Sequence, residues 1–103
     1  MVLVRNTFHA AFGKGPELAE QLRSAMTDLV KEVGSDSTWR VLVGITGSTD
    51  TVVVEVQEAS LAAWEARQAQ LMKQSDFAKA FGEAAGLIDT AGSVEFYTIV
   101  GAS

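Results

Sequence analysis

Cysteine is absent from the 103 residues, so neither a disulfide framework nor a thiolate metal site is available, and nothing marks the chain as secreted. Histidine occurs once, at His9, which leaves a single imidazole for any base or ligand role. A transition metal would need carboxylates grouped around that one residue, and no such spacing is present, so no metal and no cofactor are expected. Basic residues are few, 8 against 13 acidic ones, giving a formal charge of −5 and a pI near 4.7. An acidic surface repels phosphate backbones, which argues against a nucleic-acid partner. No apolar run approaches the ~20 residues that span a bilayer. Met1 to Ala10, interrupted by Arg5 and His9, lacks the basic start and unbroken apolar stretch of a secretion signal. The expectation is a cytoplasmic protein with no membrane partner.

What is present reads as one domain, residues 1–103, large enough to bury roughly two-thirds of its unfolded surface. Val2 to Phe8 alternates as a strand, with Val2, Val4, Asn6 and Phe8 on one face and Leu3, Arg5, Thr7 and His9 on the other. Gly13-Lys14-Gly15-Pro16 breaks it. That lone G-x-G lacks the remaining glycine and the Lys-Ser/Thr ending of a phosphate loop and signals a turn. Pro16 suits the first turn of a helix, where Glu17 and Glu20 sit near the positive end of the dipole. Leu18, Leu22, Ala25, Leu29 and Val33 then recur at helical steps, with Met26 and Val30 alongside, until Gly34. Glu20, Arg23, Asp28 and Lys31 occupy the outer, solvated face.

Thr38 to Ile45 and Thr51 to Gln57 form a predicted hairpin around Thr46 to Asp50. Ser60 caps a second helix, with Leu61, Trp64, Gln68 and Leu71 along one stripe. Ser75-Asp76 marks a fresh cap, followed by Phe77, Ala80, Phe81 and Ala84 facing inward and Gly86 at the end. Val94 to Val100 is the last strand. The order strand, helix, strand, strand, helix, strand predicts an α+β, ferredoxin-like βαββαβ fold. It has a four-stranded antiparallel sheet, the first strand between the third and fourth, and helices on one face.

A sheet with one wet face should alternate cleanly, yet this one carries apolar groups on both faces. A second sheet packed on the open face removes the conflict, and a homodimer supplies it; Trp39, at a strand start, is assigned to the dimer seam. Strand parity also sends Arg5, Glu55 and Glu95 to the open face, near Thr7 and Tyr97, as an arginine between two carboxylates inside the dimer barrel. Buried charges there must be paired. The cluster reads as a device that fixes how the sheets meet, or as the home of a carboxyl with a raised pKa.

Gly13-Lys14, Trp39-Arg40-Val41-Leu42, Asp50 to Val56, Ser60 to Glu65, Ser75-Asp76-Phe77 and Glu95-Phe96-Tyr97 together resemble the NIPSNAP-type branch of the dimeric α/β-barrel superfamily. The resemblance covers nearly the whole chain and implies a dimer with a pocket between each helical layer and its sheet. The superfamily includes antibiotic-biosynthesis and haem-degrading monooxygenases. The haem degraders use an asparagine on the first strand with a tryptophan and a histidine on the second helix. Asn6 matches the asparagine, but Gln74 and Phe81 stand where the other two belong, so haem degradation is not expected. The pocket implied here would be lined by Asn6, Trp64, Phe77, Phe81 and Phe96. Asn6 in that face needs hydrogen-bond partners, from backbone or from a ligand. Trp64 serves as core packing or as a pocket wall.

Three functions fit. One is a dimeric module that binds a small apolar ligand between sheet and helices. Another is a cofactor-independent, monooxygenase-like enzyme acting on an aromatic small molecule. The third is a non-catalytic dimeric scaffold. No nucleophile with an adjacent base stands out, and catalytic residues are not assigned.

Overall fold

Strand β1 (Val2–Ala10) takes the middle of the sheet, and the other elements are arranged about it. The computed structural model describes residues 1–33, 38–47 and 49–103; the side chains of residues 32, 33, 75–77 and 91 lie outside what is described. The first stripe's end at Val33, the stop at Gly34, and the side chains of Ser75, Asp76 and Phe77 therefore lie outside the described residues. After β1 come α1 (Gly15–Val33), β2 (Trp39–Val43), β3 (Thr51–Glu58), α2 (Leu61–Leu71), α3 (Ser75–Ala85) and β4 (Ile88–Thr98). The strands form an antiparallel sheet in the order β2-β3-β1-β4, the ferredoxin-like order expected. Among the described residues, no helix is long and apolar enough to cross a membrane.

Register decides which face each side chain takes. Val4 pairs with Val56 on one side and Phe96 on the other, and Asn6 pairs with Val54 and Val94. Even-numbered residues of β1, β3 and β4 thus share the helix-covered face. There Ala10, Leu18, Leu22, Val52, Val54 and Ala84 form the core, with Phe8, Met26 and Ile88 packed against it. Leu18 and Val52 are fully buried, each worth about 1.5–3 kcal/mol relative to exposure. Among the described residues, no helix lies across the opposite face.

The turn before α1 is held from outside. Asp50, at the end of the β2–β3 loop, accepts from the backbone N–H of Gly13 at 3.1 Å and of Gly15 at 3.0 Å, while its own carbonyl accepts from Ala10. A carboxylate from another loop thereby satisfies open N–H groups at the start of α1. A Cβ on Gly15 would lie 2.7 Å from the Thr49 carbonyl oxygen, so glycine is needed for this close approach. At α2 the sequence places its own cap, and Ser60 Oγ accepts from Ala63 N at 3.1 Å. α3 begins one residue earlier than its expected cap implies: Gln74 is the cap residue, extended and without a side-chain cap bond.

Two strand boundaries and one side-chain placement differ from the sequence reading. β2 spans only Trp39–Val43, and Ile45 is exposed in the hairpin turn. Leu61 points to solvent rather than along the inner stripe of α2. β4 starts at Ile88, well before Val94, because Asp89-Thr90-Ala91-Gly92-Ser93, loop-like in composition, still pairs with β1 through a bulge. The register shifts between Thr7 and His9 and again before Ala10. Gly92 lies in that irregularity, where an added Cβ would fall 1.6 Å from the Thr7 carbonyl oxygen. A small-residue run with a glycine signals a loop and a bulge equally well.

Replacing Gly92 by alanine should separate β4 from β1 at the bulge and destabilise the fold by about 1–3 kcal/mol, the usual penalty for forced overpacking. Urea unfolding followed by far-UV circular dichroism will show this as a lowered midpoint. An unchanged midpoint would mean that the close approach is absent.

Candidate functional site

Between the sheet and the helices lies a cavity of about 310 Å³. Its floor comes from the sheet: Asn6 and Phe8 of β1, Val54, Val56 and Glu58 of β3, Trp39 of β2 and Val94 of β4. Leu22, Ala25, Met26, Leu29 and Val30 line it from α1, one helical stripe at steps of three, one, three and one. α2 supplies Trp64, Arg67, Gln68 and Leu71, and α3 supplies Ala80 and Phe81. Nearly all of this wall is hydrocarbon or indole.

Its polar groups are few and distinct. Glu58, the last residue of β3, has a side chain only 2 % exposed, and its Oε1 lies 3.0 Å from Arg67 Nε. The nitrogen itself is fully enclosed and donates no hydrogen bond, so the contact is a close charge pair with the N–H not aimed at the carboxylate. The side-chain amide of Asn6 likewise has no hydrogen bond to another described residue. Trp64 is set by an edge-to-face contact with Phe96, centroids 4.9 Å apart and planes at 82°.

Of the residues implied by the resemblance, Asn6, Trp64 and Phe81 therefore line one cavity. Phe96 stands beside it and touches it through Trp64. The side chain of Phe77 lies outside the described residues. Trp39 departs from expectation. Its partner across the hairpin is Val56, so odd-numbered residues of β2 join even-numbered residues of β3, and the indole faces the cavity, not the open sheet. Glu58 and Arg67 were missed. Glu58 continues the even-numbered series Val52, Val54, Val56, but the strand was read as ending at Gln57. Arg67 lies three residues after Trp64, at helical spacing on the same stripe, and a charged residue there reads as surface.

The open face carries a second polar group. Glu55, 2 % exposed, accepts from Arg5 Nε at 2.8 Å and from Arg40 Nε. It pairs directly across the strands with both arginines. The arrangement is a carboxylate between two arginines, the reverse of the arginine between two carboxylates that parity suggested. Glu95 is also opposite Arg5. Its carboxylate instead accepts from Tyr97 Oη at 2.7 Å, and the Arg5 guanidinium lies 5.2 Å above the Tyr97 ring. His9 is exposed at the end of β1, on this same side.

Burial would raise the Glu55 carboxyl, but hydrogen bonds from Arg40 and Arg5 and their charges outweigh it, and the group titrates below the usual glutamate value. Glu55 is therefore not a carboxyl with a raised pKa. Tyr97 is pushed up, first by its bond to Glu95 and then by burial. A carboxyl depressed in the folded state contributes stability above its unfolded pKa and loses that contribution as pH falls through the folded value. Stability should therefore decline below about pH 4.5, the region of the ordinary glutamate pKa. In Glu55→Gln the decline should be shallower, leaving the slope due to Glu20, which Arg23 also depresses. Thermal midpoints between pH 7 and pH 3 will show it; equal slopes would remove Glu55 from the acid response.

No protein-family model matches this sequence, and no curated protein matches it. Its fold is matched by solved structures. A NIPSNAP domain protein from Burkholderia xenovorans superposes with a TM-score of 0.81 at 13% identity, over 97% of this chain and 95% of that one. A NIPSNAP family protein from Agrobacterium tumefaciens gives 0.78 at 14%, over 94% and 90%. An antibiotic-biosynthesis monooxygenase-like protein from Nitrosomonas europaea gives 0.73 at 11%, over 97% and 99%. The chain thus has the α+β fold of the NIPSNAP and antibiotic-biosynthesis monooxygenase-like proteins.

Proposed function

We propose that the chain holds a small apolar ligand between its sheet and its helices, and that it does so as a homodimer whose open sheet faces meet. The observation that carries the first part is the cavity itself. Protein cores normally close such space, because an unfilled void forfeits packing. Here Ala25 and Ala80 stand on the wall where larger side chains would fill it, and the two tryptophans of the chain border the space. Its 310 Å³ lies at the lower end of ligand-site volumes. It suits a molecule of about ten non-hydrogen atoms, taking the volume of one liquid water as about 30 Å³.

Support for the dimer comes from the other face. Leu42 and Tyr97 are each two-fifths exposed there, and the register sets Leu42 against Val53. Apolar groups gathered around a matched charge cluster suit a self-complementary contact. A catalytic reading, prompted by the monooxygenase-like neighbours, finds less support. The only histidine lies on the face away from the cavity, leaving Asn6, Glu58, Arg67 and Gln68 as the polar groups on its wall.

Isopropylbenzene is a suitable neutral probe of the cavity. Its addition should shift the indole N–H resonances of Trp39 and Trp64 saturably in a ¹H–¹⁵N spectrum. Absence of any shift at the probe's solubility limit would remove the ligand-binding reading. In native mass spectrometry the protein should run as a dimer, near twice 10.9 kDa, and Leu42→Asp should run mainly as a monomer. A monomeric unsubstituted protein would remove the paired-sheet reading.

A further inference from the structure

The cavity carries one cation among the described residues, Arg67, and its charge is already answered by Glu58. From this we infer that the ligand is an uncharged apolar molecule bearing a single hydrogen-bond-accepting oxygen, of carbonyl type, received by Arg67, and that carboxylic acids of the same size are rejected. The inference rests on the ligand-binding reading above and specifies its chemistry.

The argument begins with donors. A guanidinium has five N–H groups and no acceptor. Arg67 makes no hydrogen bond among the described residues, although its side chain is only 26 % exposed and its Nε is fully enclosed. An enclosed donor without a partner costs about 1–3 kcal/mol. An oxygen acceptor arriving within the cavity would remove that penalty. Arg67 also stands at one end of the space: Glu58 lies four residues beyond Val54, the partner of Asn6, roughly 13 Å along the strand. The intervening walls are Val56, Trp64, Leu71 and the α1 stripe, which fit a hydrocarbon body and offer no second charge.

Charge then decides which oxygen. Glu58 is 3 % exposed and anchored at the end of β3. A ligand carboxylate on Arg67 would set two carboxylates about one guanidinium in an apolar enclosure, and like charges so placed cannot both stay ionised without a large penalty. A carbonyl oxygen takes the open donors and adds no charge.

The test uses three probes of the same heavy-atom skeleton, isopropylbenzene, acetophenone and benzoate, titrated at pH 7 into the full chain and followed by the indole resonances. Acetophenone should bind about tenfold more tightly than isopropylbenzene, the equivalent of about 1.4 kcal/mol, and benzoate more weakly than either. In Arg67→Met the ketone and the hydrocarbon should bind alike. Glu58→Gln, which keeps the shape and removes the competing charge, should raise benzoate above acetophenone. It serves as an independent check if Arg67→Met fails to fold. Benzoate binding as tightly as acetophenone in the unsubstituted protein, or a ketone preference that survives in Arg67→Met, would overturn the assignment. If isopropylbenzene binds and acetophenone gains nothing, Arg67 is not the receptor while the apolar site stands. If no probe binds, both readings fall.

Discussion

β1 is hydrogen-bonded on both sides, and the pairings with β3 and β4 keep the same parity along most of its length. That agreement gathers the core residues of three strands on one face and the Arg5, Glu55 and Glu95 charges on the other. A slip of one residue at either seam would carry Arg5 or Glu55 under the helices and Val4 or Val54 out to the open face, exchanging the two sets at once. Core, cavity and charge cluster are therefore consequences of one register. Asp50 helps hold it, tying the hairpin loop to the turn that leaves β1 and to the start of α1. The bulge at Gly92 lets the far end of β4 stay paired after the register shifts.

Two buried glutamates illustrate how little side-chain identity says without surroundings. Glu55 and Glu58 lie three residues apart on β3, on opposite faces, and both are buried. Glu55 has two arginines aligned on it with hydrogen-bonding geometry, so its ionised form is favoured and its pKa falls. Glu58 meets Arg67 at 3.0 Å from the neighbouring helix, and the guanidinium keeps donors unspent. Cross-strand neighbours are placed by the ladder itself, which favours a saturated cluster. A strand-to-helix pair is placed by packing, and packing here has left space beside the charge.

Much of this was legible in the residues. The alternation in β1 separated Asn6 and Phe8 from Arg5 and Thr7. The helical steps from Leu18 to Leu29 identified the buried face of α1, and Ser60 announced α2. Parity alone sent Arg5, Glu55, Glu95 and Tyr97 to one face. Trp39 was misassigned because parity within β2 does not say which parity of β3 lies opposite, and only the hairpin's register does. The early part of β4 was missed because small polar residues have no strand period to show. Arg67 escaped because a charged residue on an amphipathic helix is ordinarily solvated, and nothing local distinguishes one facing a cavity.

The sequence by itself determined the order of elements, the two-faced character of the sheet and the apolar stripe of α1, since these depend on periods of two and 3.6 residues that neighbouring positions express. Only the tertiary structure decided that Glu55 lies between Arg5 and Arg40, that Trp39 and Trp64 border one space, and that Arg67 closes on Glu58. Those contacts join residues brought together by register and by the docking of α2 on the sheet. Such distances are set by the packed whole, and no local pattern encodes them.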